Sequence, residues 1–372
     1  GALICYRHRL DICTKNYHRK DVWIMNAIKH SLPQKNRIVD LDVIRGFALI
    51  GIFLVNINMF FTEAGVSNKG LPGAKWIDIL VDAKFYAIFS LLFGAGVSLF
   101  LTRAKTKGQP YLVYIRRMVV LVLIGLLHAN VWGGDILRSY AIIGLLLLAL
   151  HKLPGKWLLV ISLSLHVMGI VVNALSYDYI LGGHPNMPPL LNILQLILSL
   201  FAPLIYFIEG FSLMQIDALK KLKKNPKLHT ALIMILSSVC IVGVAIQFLT
   251  PSAKAYFILK IILQPLLALL YTLILVALLK STIGSTVLKP LQAYGRMGMS
   301  NYLGQTIMGM FILPLFLNVF SSAFAMVSVC FLTWILQIVL SNVWLKYFSF
   351  GPIEWIWRCL TYWNLMPIRK KQ

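Results

Sequence analysis

Negative charge is scarce in this chain: 372 residues carry only 12 Asp and Glu against 35 Lys and Arg, a formal net charge of +23. Charge of either sign is scarce too, at 13%, whereas hydrophobic residues make up 59%; soluble globular domains run nearer 25% and 45–50%. A soluble fold and a disordered chain are both excluded. Nucleic acid is no partner for so basic a balance either, because the cations are too few and the apolar runs too long. The five cysteines (Cys5, Cys13, Cys240, Cys330 and Cys359) are scattered, without CxxC pairs or metal-ligand spacing, so neither a disulfide scaffold nor a metal centre is expected. No GxGxxG or GxxxxGK[ST] run occurs to cradle a phosphate. What remains is a polytopic membrane protein of all-α class.

Residues 1–36 are polar and basic and lack the ordered charge, apolar and small-residue regions of a signal peptide. Met25 reads as a natural start, which would make residues 1–24 upstream translation. Beyond them, a hydrocarbon core about 30 Å thick needs about 20 apolar residues per helix. Runs between charged or Pro/Gly-rich breaks give ten candidates: 43–62, 83–102, 113–133, 136–151, 156–176, 190–215, 229–250, 256–279, 297–318 and 323–345. The division is thus 1–36 as an extension, 37–345 as a transmembrane helical domain, and 346–372 as a Trp-rich interfacial segment with a basic tail. With residues 37–42 placed in the cytoplasm, Arg103, Arg116, Arg117, Lys152, Lys220–Lys227, Lys280, Arg296 and Arg369–Lys371 all fall on that side. The opposite loops hold only Lys69, Lys75, Arg138 and Lys254. The positive-inside rule accounts for this bias, puts both termini in the cytoplasm of a cell (plasma) membrane protein, and makes the bilayer the partner that explains the charge.

Polar side chains inside spans are costly and mark sites. In the first span Arg45 and Asn56 lie eleven residues apart, nearly three turns and about 16 Å along one face; Asn58 follows, and Asp42 stands one turn before Arg45. This is either a polar wall or an interfacial anchor plus an interhelical amide bond. The turn between spans three and four, LLHANVWGGDILRSYAIIG, holds His128, Asn130, Asp135 and Arg138. A carboxylate fixes an imidazole tautomer and raises its basicity, as a general base requires; alternatively Asp135 caps the next helix and His128 is a satisfied helix-end residue. His166 reads as structural. Asp78 and Asp82, with Lys84 nearby, share a helical face, as acid–base or cation-binding groups or as a hydrated helix end. Gly94, Gly96 and Ser98 provide small-residue packing.

The ninth span opens GRMGMSNYLGQT, with Arg296 at its entrance and Asn301 and Gln305 one turn apart, to bond across helices or line a cavity. In the tail, Glu354 and Arg358 are spaced for an i, i+4 ion pair, and Trp355, Trp357 and Trp363 suit a headgroup belt. Glu209 and Lys260 are buried charges whose partners the sequence does not reveal.

RIVDLDVIRGFALIGIFLVNI, FSLLFGAG, RRMVVLVLIGLLHANVWGGDILRSYAIIG, GRMGMSNYLGQT and VWLKYFSFGPIEWIWRCLTY, in that order across 37–366, strongly resemble the YeiB family, bacterial multi-pass membrane proteins containing a domain of unknown function. That family has been connected with transport. It is also similar to transmembrane acyltransferases, including heparan-alpha-glucosaminide N-acetyltransferase, in the LDxxRGxA start and an Asn one membrane depth on. The resemblance implies that Arg45 and Asn56 belong to an acyl-transfer channel. One departure is that no His lies between Asn56 and Trp76, where the acetyltransferase has its catalytic residue; His128 with Asp135 would have to substitute.

Two functions follow. An acyltransferase would take acyl-CoA as co-substrate at Arg45, Arg116, Arg117 and Arg296 on the inner side, use His128 as base, and modify a small-molecule, lipid or glycan acceptor at the outer face. A transporter or exporter without covalent chemistry would instead use Glu209 and Lys260 for ion coupling.

Overall fold

A run of about 20 apolar residues in hydrocarbon must satisfy its own backbone, and only a helix does so within one segment. In a computed structural model, which describes residues 38–63, 74–105, 110–182, 186–316 and 323–370, the described residues are helical apart from short connections and one isolated bridge, Phe348 to Arg369. The N-terminal extension and the Met25 start lie outside the described residues, as does the side chain of Asn58. The helices are α1 (Val39–Glu63), α2 (Ala74–Leu80), α3 (Lys84–Lys105), α4 (Pro110–Ala129), α5 (Leu137–Leu150), α6 (Gly155–Ile180) and α7 (Pro189–Gln215). They continue as α8 (Ala218–Lys224), α9 (Pro226–Leu249), α10 (Ala253–Leu278), α11 (Thr282–Arg296), α12 (Gly298–Ile307), α13 (Ala323–Tyr347) and α14 (Pro352–Tyr362).

Each of the ten apolar runs contains a helical segment among its described residues. Among the described residues seven helices are long and apolar enough to cross a membrane, and α5 is a shorter apolar helix. The chain therefore has the helical fold of a membrane protein, suited to a lipid bilayer. The ninth run departs from regularity: α12 loosens into a π-helical turn at Met308–Ile312 and then a 3-10 turn at Leu313–Phe316.

Two close crossings set the interior. At Gly94 of α3 and Gly210 of α7 the backbones touch: a Cβ on Gly210 would fall 1.8 Å from the Leu91 carbonyl oxygen, and one on Gly94 2.0 Å from that of Phe207. With no hydrophobic drive between helices in lipid, such small-residue contacts are how backbones approach. Gly96, expected to share this role, faces open space, and Ser98 is buried. The second crossing joins α1 to α11, where a Cβ on Gly295 would meet the Asp42 carbonyl oxygen at 1.9 Å. Around these crossings Phe53, Phe60, Trp132, Tyr140 and Phe207 form the central apolar cluster.

α11 is an amphipathic helix that apolar runs alone do not reveal, since its residues read as a basic loop. Leu288 and Leu291 pack on the core while Ile283 and Val287 are exposed. α14 is amphipathic as well. Glu354, spaced for pairing with Arg358, puts both carboxylate oxygens on the start of α12: Oε1 accepts from Met299 N (2.7 Å) and Ser300 N (3.0 Å), and Oε2 from Ser300 Oγ (2.5 Å). A carboxylate at a helix N-terminus satisfies orphan donors and complements the dipole. The Arg358 guanidinium lies 4.5 Å over the Phe350 ring.

Two stability outcomes follow. Gly210→Ala should cost at least about 2 kcal/mol by overpacking, whereas Gly96→Ala should be neutral or slightly stabilising, since Ala is the better helix former; paired thermal melts in one detergent compare them directly. Glu354→Ala should cost about 2 kcal/mol, the scale of charged hydrogen bonds lost at a helix start, and Glu354→Gln, which retains an acceptor, should lose less in the same assay.

Candidate functional site

Where α4 ends and α5 begins, the chain makes a short turn through Gly133 and Gly134. It brings His128 and Asp135 to 2.7 Å, from Nδ1 to Oδ1, with only 6% and 7% of the two residues exposed. Asp135 also caps α5, accepting from Leu137 N at 3.2 Å and Arg138 N at 3.0 Å. Asp135 thus gathers two backbone amides and the imidazole at one carboxyl group. Where that carboxylate accepts from Nδ1–H, a neutral His128 presents its lone pair at Nε2.

Nε2 lies 2.9 Å from Thr306 Oγ1 of α12, and in that tautomer the threonine hydroxyl donates to it. The imidazole is boxed edge-on by Tyr302, with ring centroids 5.3 Å apart, and by Trp132 at 6.0 Å. Tyr302 Oη accepts from Ile136 N at 3.3 Å, fastening α12 to the turn. Trp132 is 2% exposed, and its indole N–H has no partner among the described residues.

α12 supplies this wall. Its N-terminal Gly298 packs against Arg45, whose Cδ lies 3.2 Å from where a Cβ would stand. Eight residues on, about 12 Å along the axis, Thr306 meets His128. Between them Asn301 donates to Tyr294 O and Ser341 Oγ, both at 2.9 Å. Gln305 donates to Tyr294 Oη at 2.7 Å and to Leu49 O at 3.2 Å. Gln337 closes the set, accepting from Tyr294 Oη and donating to Asn301 O. Asn301 and Gln305 thus bond across to α11, α13 and α1. Asn56 is half-buried on α1, one turn before Phe60, whose ring lies 4.7 Å from that of Trp132.

The predicted cations gather where α1, α4 and α12 begin. Arg45 pairs with Asp42 at 3.0 Å. Arg117 lies 3.7 Å over Trp357, whose indole N–H donates to Arg117 O, and it is close enough to Arg45 and Arg358 for their charges to act on its own. Arg116 lies 5.0 Å over Trp363, and Arg296 donates to Ser349 O at 3.3 Å.

The buried charges whose partners were illegible now have them. Lys260 of α10 bridges Asp78 and Asp82, and Tyr256 donates to Asp78 Oδ2 at 2.5 Å. Lys84, fully buried, donates to Asp78 O at 3.1 Å. Glu209 lies 3.2 Å from His166, linking α7 to α6. Among the described residues no cluster of three or more His, Cys, Asp or Glu could hold a metal ion.

Thr306, Trp132 and Tyr302 were missed from sequence. Thr306 ends the GRMGMSNYLGQT run, directly after Gln305, but a single hydroxyl in an apolar helix is ordinarily satisfied by its own backbone. The signal that could have found it is its place in that run of polar residues.

Comparison with known proteins finds a family model, "Protein of unknown function (DUF418)", over residues 213–364. That segment holds α12, Thr306 and Glu354, whereas His128 and Asp135 lie before it. An uncharacterised 39.9 kDa protein encoded in the amylase 3' region of Bacillus acidopullulyticus is 31% identical, over 90% of this chain and 97% of its own length. YxaH of Bacillus subtilis (strain 168) is 30% identical over 93% and 99%, and YeiB of Escherichia coli (strain K12) 26% over 87% and 96%. Matched along nearly their whole length, this chain belongs with them to the YeiB family.

Proposed function

We propose that the protein is a transmembrane acyltransferase of the plasma membrane, with ten spans and both termini in the cytoplasm, that moves an acyl group from cytoplasmic acyl-CoA to an acceptor on the outer side. The observation that carries this reading is the buried His128–Asp135 pair, in which a carboxyl group at Nδ1 orients an imidazole whose Nε2 faces Thr306. A structural histidine needs only partners; a general base needs this orientation.

The positive-inside count supports a cytoplasmic side for the Arg45, Arg116, Arg117 and Arg296 end. There the anionic phosphates of the donor would meet guanidinium groups, most of them braced by aromatic rings or backbone carbonyls. From Arg45 the wall of α12 leads to Thr306 and His128 over about 12 Å of helix, a span that an extended acyl-pantetheine arm can cover. His128 Nε2 takes the proton of the attacking nucleophile. The thioester C–S bond breaks, and the departing thiolate recovers that proton from the imidazolium. Asp135 stabilises the imidazolium in between.

The transport reading began from Glu209 and Lys260, and their pairing with His166, Asp78 and Asp82 gives those charges a structural reason to be present. Substrate counterflow in proteoliposomes that survived His128→Ala would nonetheless favour transport over transfer.

Purified protein in nanodiscs, supplied with acetyl-CoA and a panel of amino-sugar, glycan and lipid acceptors, should release free CoA, with His128→Ala at least about 100-fold slower. No release with any acceptor would sink the reading. Asp135→Asn should keep the cap of α5 and a near-native melting temperature, yet fall by a similar factor. Its amide donates to Nδ1 and moves the imidazole proton to Nε2.

A further inference from the structure

Helical Ser and Thr hydroxyls in this bundle generally turn back on their own helix. Thr102, Ser199, Ser238, Thr272 and Thr361 each donate to the carbonyl four residues earlier. Thr306 does not follow them. Its hydroxyl, on a residue 1% exposed, spends its proton on His128 Nε2. Hydroxyl, imidazole and carboxylate are then joined in series, at 2.9 Å and 2.7 Å, from the α4–α5 turn and from α12.

We infer that Thr306 is a catalytic residue, the nucleophile that carries the acyl group between donor and acceptor. This rests on the acyltransferase reading and deepens it, since direct transfer to the acceptor would need no hydroxyl of the protein at this position. Three observations bear on it together. With the Asp135 carboxylate at Nδ1, a neutral His128 accepts from the Thr306 hydroxyl at Nε2, and that is the arrangement that activates a hydroxyl. The helix turns π-helical at Met308, two residues beyond Thr306, and π turns within helices concentrate at functional sites. The buried indole N–H of Trp132, packed on the same imidazole, has no protein acceptor among the described residues. Such an orphan donor calls for an explanation, and the oxygen of a thioester carbonyl would supply its partner.

In the first half-reaction Thr306 Oγ1 bonds to the acyl carbon as its proton passes to His128 Nε2. The C–S bond breaks, and the CoA thiolate leaves with that proton. In the second, His128 takes the proton of an acceptor amine or hydroxyl, the acceptor attacks the acyl-threonine ester, and the proton returns to Thr306 Oγ1. The burial of the residue keeps water from the ester, favouring transfer over hydrolysis.

The test uses the full-length protein in nanodiscs with radiolabelled acetyl-CoA. Without acceptor, the wild type should release a burst of about one equivalent of CoA per chain and retain label, which peptide mapping places on Thr306. Thr306→Ser should keep label and turnover, and Thr306→Val should lose both, turnover falling more than about 100-fold. Turnover by Thr306→Val near the wild-type rate, or label on another residue, would overturn the inference while leaving the acyltransferase reading intact. Should Thr306→Val fail to fold, the position of the label in the wild type decides. No CoA release under any condition would overturn both readings together.

Discussion

A polar side chain in a bilayer has no water to fall back on, so its partner must come from another helix, and that requirement fixes how this bundle is assembled. α12 shows it most fully. At its start, Glu354 of α14 receives its free amides. Along its length Asn301 and Gln305 bond to α11, α13 and α1, and at Thr306 it reaches α4. A helix tied on every side by directional bonds cannot rotate to relieve one of them without breaking the rest. The π turn beyond Thr306 falls where those ties end.

The same requirement explains what the sequence disclosed. Apolar run length located the seven helices long and apolar enough to cross a membrane among the described residues, because hydrocarbon thickness and helical rise leave little choice. Local polar pairs were readable too. Asp42 and Arg45 sit one turn apart, and His128 and Asp135 flank one short turn, so proximity follows from spacing alone. Lys260 with Asp78, Glu209 with His166, and Thr306 with His128 were not readable. Their partners are 182, 43 and 178 residues apart, and the pairing depends on which helices neighbour which. Glu354 shows the converse. Its spacing to Arg358 was favourable, but a helix start with unsatisfied amides lay within reach and took both carboxylate oxygens. α11 escaped notice because an amphipathic helix of mixed composition resembles a basic loop when only apolar runs are counted.

Asp135 shows why a structural and a chemical reading of one residue need not compete. An ionised carboxylate offers about four lone-pair sites; two amides of α5 and one imidazole N–H fill three of them. The cap holds the side chain where it can orient His128. The helix start is thus the support that makes the base dependable, in the sense that a well-positioned site needs its orienting groups locked in place.

The two ends of the bundle differ in how their charges are balanced, and that difference bears on what each can recognise. Lys260 and Lys84 together match Asp78 and Asp82, so this cluster adds little net field. At the other end Arg117 lies near both Arg45 and Arg358, and Arg45 pairs with Asp42. Guanidinium groups held on Trp and Phe faces gain cation–π attraction, and a cluster of them would favour an anionic ligand by charge. In the proposed reaction that is the end where the substrate is a polyanion, and the balanced, aromatic-lined interior is where the acyl group, which carries no charge, has to travel.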